Sequence, residues 1–359
     1  MPGQQILLVV FSFLPFVVCL FWLICFVASF AKVDVPKRYL MAYLTACVVL
    51  YLCHGVYFTH GLPYEMECLW TLCSLSVYPL YYGYLCRLTS SDYSVRKLLP
   101  WLVPGTLVAL AKYFLPDAGI DRVRLLLFAC QIVAVCYWGI KRLKAFDREL
   151  QTIYVDMEGR ETTTVHHMLV AIIAVSILAG VANGVGKHFF GESLWLLVTI
   201  SLAFSTMQYA LSYIGFFRDF TIDTLNYDMG PEDNDVEPAN ESAEQDSSEL
   251  IGKKIEELMM EQHYFLRNDL KIGDIVKATG VNRTYVSAYI NTKYNCSFSD
   301  YMNRLRIEYA ERRLMSMPKG TKFTQIAAES GFSNEQSFYR NFKKFTGMMP
   351  TEWVKAHQS

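Results

Sequence analysis

Seven windows of about 20 predominantly apolar residues occupy the first 217 positions of this chain, at approximately 6–30, 39–58, 66–86, 98–115, 123–140, 166–186 and 193–217. Segments of that length match the hydrocarbon core of a bilayer, where unpaired backbone groups are too costly for anything but helices or closed barrels. A single soluble globule is therefore excluded for the chain as a whole, which is 53% hydrophobic and 19% charged. The first window reads as a span and not as a cleavable signal, because no positive charge precedes it and its apolar run is far longer than a signal core.

Basic residues near the window ends give the orientation, since Lys and Arg resist translocation. The first, third and fifth loops carry Lys32, Lys37 and Arg38, then Arg87, Arg96 and Lys97, then Lys141, Arg142, Lys144, Arg148 and Arg160. The second loop carries neither Lys nor Arg, the fourth has Arg122 and the sixth has Lys187. This bias places the N-terminus outside and, after seven crossings, the C-terminus in the cytoplasm. The expected location is the inner membrane of a bacterium, with lipid as the first partner. The windows at 98–115 and 123–140 fit least well, the one interrupted by Pro100 and Pro104, the other starting beside Arg122 and Arg124.

Polar residues inside spans are costly and raise a suspicion of function, which falls on His54, Gln131, Asn183 and Gln208, with Glu67, Lys112 and Arg124 near window edges. Interhelical hydrogen bonding and snorkelling explain such residues equally well. The tyrosines Tyr78, Tyr81 and Tyr82 either line a ligand pocket or form an interfacial belt. Nine of the ten cysteines fall in the apolar half, singly spaced as buried small hydrophobes. The sequence shows no paired carboxylates, no metal cluster and no nucleophile arrangement, so neither catalysis nor a cofactor is expected.

From Asp228 to Glu249 the chain carries nine carboxylates and no Lys or Arg, together with Pro, Asn and Ser. That composition reads as a disordered acidic linker. Residues 250–359 then hold 17 Lys and Arg against 11 Asp and Glu, a basic balance suited to a polyanion. The domains expected are a helix bundle over 1–227, the linker over 228–249 and a nucleic-acid reader over 250–359.

Two helix-turn-helix patterns appear in that last part. In the first, Ile272, Ile275 and Val276 share a face, Gly280 suits a left-handed turn and Asn282 caps a second helix. On that helix Val286 and Ile290 point inward while Arg283, Thr284, Ser287 and Ala288 share another face. In the second, Ile326 and Ala327 precede a turn at Gly331, with Ser333 expected as the cap and Gln336 as its capping-box partner. Phe338, Phe342 and Phe345 then form a core stripe, and Glu335, Gln336, Tyr339, Arg340 and Lys343 lie about a third of a turn away. Arg suits guanine edges and Gln adenine edges, while Lys and Tyr suit phosphate. Between the motifs, residues 297–315 read as a rigid helix with Tyr301, Leu305 and Leu314 inward and Arg304, Arg306, Arg312 and Arg313 available outside. The spacer sets two recognition helices on successive major-groove faces, about 34 Å apart.

Ile326, Ala327, Ser330, Gly331, Phe332, Asn334, Phe338, Phe342, Lys343, Gly347 and Pro350 stand at the spacing of the AraC/XylS-type transcription regulators, and residues 250–357 resemble their C-terminal domain. The resemblance implies a seven-helix domain with two helix-turn-helix motifs that binds double-stranded promoter DNA and contacts RNA polymerase. Two departures stand out. The first recognition helix carries smaller residues than is usual in the family, and Trp353 is followed by Val354 where Arg is common. The apolar half replaces the soluble ligand-binding barrel with which such domains are usually joined, so the chain resembles a membrane-embedded member. The expected class is all-α and the expected role that of a one-component receptor, in which the bundle senses a small-molecule or envelope signal and a homodimer reads DNA. The alternatives are a bundle that only anchors the domain, or a transporter or enzyme bundle with a regulatory tail.

Overall fold

The structure is a computed structural model that describes residues 2–29, 34–115, 119–157, 160, 162–185, 194–218, 220–229, 241–316 and 322–357. Among these the fold is all-α, without strands. Two compact units result: Met1–Phe146 with Thr162–Leu225, and Asp147–Glu161 with Asn226–Ser359.

In the first unit the helices α1 (Pro2–Ala28), α2 (Val35–His60), α3 (Tyr64–Thr89), α4 (Val95–Phe114), α5 (Ile120–Gln151), α6 (Thr163–Val185) and α7 (Leu194–Phe217) coincide with the apolar windows. Among the described residues, α1, α2, α5 and the helix beginning at Leu194 are long and apolar enough to cross a membrane. α3 falls short on hydropathy for a structural reason. Its tyrosines count as polar, yet the helix is enclosed between α2 and α4, with Tyr78, Tyr81, Tyr82 and Tyr84 buried. A helix wrapped by other helices has no need of an apolar exterior.

Several polar groups in this unit find partners, at both ends of α3 and in the middle of the bundle. The Gln208 amide nitrogen donates to the hydroxyls of Tyr43, at 2.9 Å, and Tyr51, at 3.4 Å. Gln131 donates to the Leu75 carbonyl at 3.0 Å, and His54 lies among the rings of Tyr51, Phe58 and Trp70. The side chain of Asn183 lies outside the described residues. At one end of α3, Lys112 pairs with Glu67 at 3.2 Å and Asp121 at 3.0 Å, and Arg124 pairs with Asp121 at 3.2 Å. At the other end the Arg87 guanidinium grips both oxygens of Asp223, on α8 (Ile222–Met229), at 3.0 and 2.9 Å.

The acidic stretch expected to be disordered lies partly outside the described residues, at 230–240. Where it is described the backbone is helical, in α8 and from Glu241 onward in α9 (Glu241–Met260). The second unit continues through α10 (Ile272–Thr279), α11 (Arg283–Tyr294), α12 (Phe298–Met315), α13 (Phe323–Glu329), α14 (Glu335–Thr346) and α15 (Pro350–His357). Its core unites Ile307, Ala310 and Leu314 of α12 with Ile326, Phe332, Phe338, Phe342 and Trp353. Glu256 ties α9 to α11 by accepting hydrogen bonds from Lys293, Tyr289 and Tyr294, and the Lys293 contact holds its carboxyl below the usual range.

Two sequence expectations are corrected here. Arg306 is not available at the surface. It is 1% exposed, lies over the Phe332 ring, and donates through Nε to the Phe265 carbonyl at 2.6 Å and through Nη2 to the Arg267 carbonyl. Burial pushes its guanidinium down to about 10, still far above neutral pH, so the charge is kept and serves the fold. The cap of α14 is Asn334, not Ser333. Asn334 accepts from Ser337 N at 2.8 Å, which makes Ser337 the third helical residue and leaves Gln336 outside the cap.

Gly331 makes the turn between α13 and α14 at φ +84°, and a Cβ there would sit 2.6 Å from the Leu266 carbonyl oxygen. Both the left-handed backbone and the close approach exclude a side chain. We expect Gly331→Ala to destabilise the C-terminal unit by at least about 2 kcal/mol. The measurement is the urea midpoint for tryptic cleavage of that unit in the intact chain, and an unchanged midpoint would contradict the assignment.

Candidate nucleic-acid interface

The first motif is built by local chemistry. Thr279 Oγ1 donates to the Ile275 carbonyl at 2.7 Å, and Gly280 ends α10 at φ +69°. Asn282 then caps α11 by accepting from Thr284 N at 2.9 Å. Val286 and Ile290 are buried, so the opposite face of α11 is presented outward. On it Thr284 and Ala288 are exposed and Arg283 and Ser287 half-buried, and Asn291 extends the same face by one turn. Asn291, whose Nδ2 lies 3.5 Å from Ser287 Oγ, was not singled out by sequence, although its position four residues after Ser287 was sufficient to find it.

The second motif has the richer face. Phe338 and Phe342 are buried and Phe345 is partly buried against them, so the helix is anchored along one stripe. Gln336, Arg340 and Lys343 are exposed and stand at i, i+4 and i+7. Glu335 and Tyr339 are half-buried. The Tyr339 ring lies 6.4 Å from Phe323 and 5.6 Å from Phe338, and burial followed by the neighbouring Glu335 carboxylate raises its phenol. These two residues are engaged with their own helix and core; Gln336, Arg340 and Lys343 bring an amide, a guanidinium and an amine to the exposed side of the helix. Lys344, next to them, pairs with Asp300 at 2.6 Å.

Between the readers, α12 runs for 18 residues, or about 27 Å at 1.5 Å per residue. Ser297 caps it by accepting from Asp300 N at 3.1 Å. Arg304 and Arg312 are exposed on it, while Arg313 is drawn to Glu329 at 2.6 Å. In the sequence α12 stands between two motifs whose second helices, α11 and α14, both carry polar outer faces.

A segment that no sequence pattern indicated also belongs to this unit. Residues Asp147–Glu161, the last turn of α5 and the stretch that leads to α6, cluster with the C-terminal helices. Ile153, Tyr154 and Val155 are 3%, 1% and 1% exposed, an unusual degree of enclosure for a loop. The Ile153 carbonyl accepts from Ile272 N at 2.9 Å, and the Val155 carbonyl accepts from Ser299 Oγ at 2.9 Å and Asn303 Nδ2 at 3.2 Å. The only hint in the sequence was the short apolar run Ile153, Tyr154, Val155 in an otherwise polar loop.

Residues 275–356 match the helix-turn-helix domain family. Over 128 residues the chain is 30% identical to an HTH-type transcriptional regulator in the cgkA 5′ region of Pseudoalteromonas carrageenovora, covering 32% of this chain and 74% of that one. It is 27% identical over 97 residues to the HTH-type transcriptional regulator YtdP of Bacillus subtilis, covering 27% of this chain and only 12% of YtdP. A solved structure from Listeria innocua, a protein of unknown function, aligns at 28% identity over 30% of this chain and 97% of its own, with a TM-score of 0.27.

If α14 reads bases, Arg340→Ala should weaken binding to a specific promoter fragment by about 1–3 kcal/mol and relax preference at one position. Lys343→Ala should weaken all sequences alike and reduce the salt dependence by about one counterion. Titrations at several salt concentrations separate the two, and unchanged affinity in both variants would remove α14 from the interface. The matched domain, the two capped motifs and the relatives converge on one statement: this chain belongs to the HTH-type transcriptional regulators, carrying an AraC-type DNA-binding domain after an apolar helical half.

Proposed function

We propose that the chain is a membrane-embedded, one-component regulator that senses a signal in its helix bundle and reads promoter DNA with its C-terminal unit. The observation that carries this is the presence, in one polypeptide, of helices long and apolar enough to cross a bilayer and a helix-turn-helix domain. The positive-inside bias of the loops supports seven crossings with the N-terminus outside and the reader in the cytoplasm. DNA contact is assigned to Arg283, Thr284 and Ser287 on α11 and to Gln336, Arg340 and Lys343 on α14, with Glu335 and Tyr339 supporting the latter helix. The regulator acts by binding. RNA polymerase and a second copy of the chain are its proposed protein partners.

Sensing, as opposed to mere anchorage, is supported by a cavity of about 200 Å³ inside the first unit. Its wall is mainly apolar and aromatic, and Tyr43, Tyr51, His54, Tyr78, Arg124 and Gln208 bring polar atoms to it. A mostly apolar wall with a few polar atoms suits a receptor for a mostly apolar ligand with a hydrogen-bonding group.

Topology is tested by fusing, after Ser359, a reporter active only in the cytoplasm or one active only outside the membrane. The cytoplasmic reporter should be active in cells, and the intact protein should crosslink to a small set of promoters from the membrane fraction. Activity of the external reporter alone would overturn the reading.

A further inference from the structure

The segment Asp147–Glu161 does more than complete the C-terminal unit. Its buried centre anchors it: the Tyr154 ring lies against the Arg160 guanidinium, 4.5 Å away, and the Tyr154 backbone forms an isolated antiparallel bridge with that of Lys271. Its two flanks then reach opposite reader helices. Glu149, Thr152 and Ile153 share the wall of one pocket with Arg283, Thr284, Ser287 and Asn291, the outward face of α11. Seven residues on from Glu149, the Asp156 carboxylate accepts a hydrogen bond from the Ser333 hydroxyl, immediately before the Asn334 cap of α14.

The start of a recognition helix is where DNA-binding proteins take a phosphate, because free amides and the helix dipole favour an anion there. In this chain the anion in place is a carboxylate of the same polypeptide. Glu149 likewise sets negative charge beside the candidate groove-facing side chains of α11. The strap thus runs from one reader to the other, with Asp156 at the residue before the α14 cap and Glu149 on the wall of the pocket beside α11.

We propose that Asp147–Glu161 is an intramolecular competitor for promoter DNA, holding the two reader faces with carboxylates that the phosphate backbone must displace. This rests on the DNA-reading role proposed above for α11 and α14. The strap includes the last turn of α5, to Gln151, and leads on to α6, which starts at Thr163. Any change in the bundle that repositions the ends of those two helices therefore alters how firmly the strap is held, and the apparent affinity for DNA follows the fraction of molecules with the faces cleared. No separate signalling protein is needed in this scheme.

The test uses the full chain in lipid nanodiscs, with Cys296 replaced by Ser, carrying Asp156→Cys and Ser333→Cys, and a promoter fragment captured from cells as the probe. Oxidation should crosslink the pair, as seen by altered mobility on a non-reducing gel, and should weaken DNA binding by about tenfold or more, with recovery on reduction. Asp156→Ala, which removes the carboxylate without touching the buried centre, should tighten binding by about threefold. Equal binding by crosslinked and reduced protein would overturn the proposal, as would failure of the pair to crosslink, since the contact would then not exist in solution. Failure of the reduced and unsubstituted proteins to bind any promoter would instead count against the DNA-reading role itself.

Discussion

A backbone amide or carbonyl removed from water must find a partner within the chain, and nearly every feature of this protein answers to that demand. In the apolar half it favours helices, and some of the polar side chains admitted there are fastened to one another or to carbonyls, as Gln208 is to Tyr43 and Gln131 to Leu75. In the basic half the same demand recruits Arg306, a charged residue given up to the interior so that the carbonyls of Phe265 and Arg267 are satisfied. The carbonyls of Ile153 and Val155 are satisfied in the same way by Ile272, Ser299 and Asn303, and this makes a loop of the first half a structural part of the second.

How much of this was legible follows from the range of the forces involved. The helical windows and both turns were readable because they depend on composition and on single residues with strong local preferences, such as Gly280, Asn282 and Gly331. The cap at Asn334 was misplaced by one residue because Ser333 and Asn334 are both good caps; the choice is made by Asp156, far away in sequence, which engages the Ser333 hydroxyl. Arg306 was misread for a related reason. Helical periodicity could not show that a turn at 264–266 would need a donor. The strap was the least legible element, since three apolar residues in a polar loop carry no information about which partner buries them.

The two reader helices differ in a way that divides their work. α11 offers small side chains, Thr284, Ser287 and Ala288, that allow close approach to a backbone and have little reach toward base edges. α14 offers Gln336, Arg340 and Lys343, which have the length and donor geometry for bases and phosphates. In the proposed reading a duplex is oriented at one site and read mainly at the other.

In the proposed function an intact, membrane-held protein grips DNA with two helices at once. Hydroxyl-radical footprinting of the full chain in nanodiscs on a cellular promoter measures this directly. Two protected patches on one face of the duplex, about 10 base pairs apart, are the predicted result. A single patch, or protection that does not depend on sequence, would contradict it.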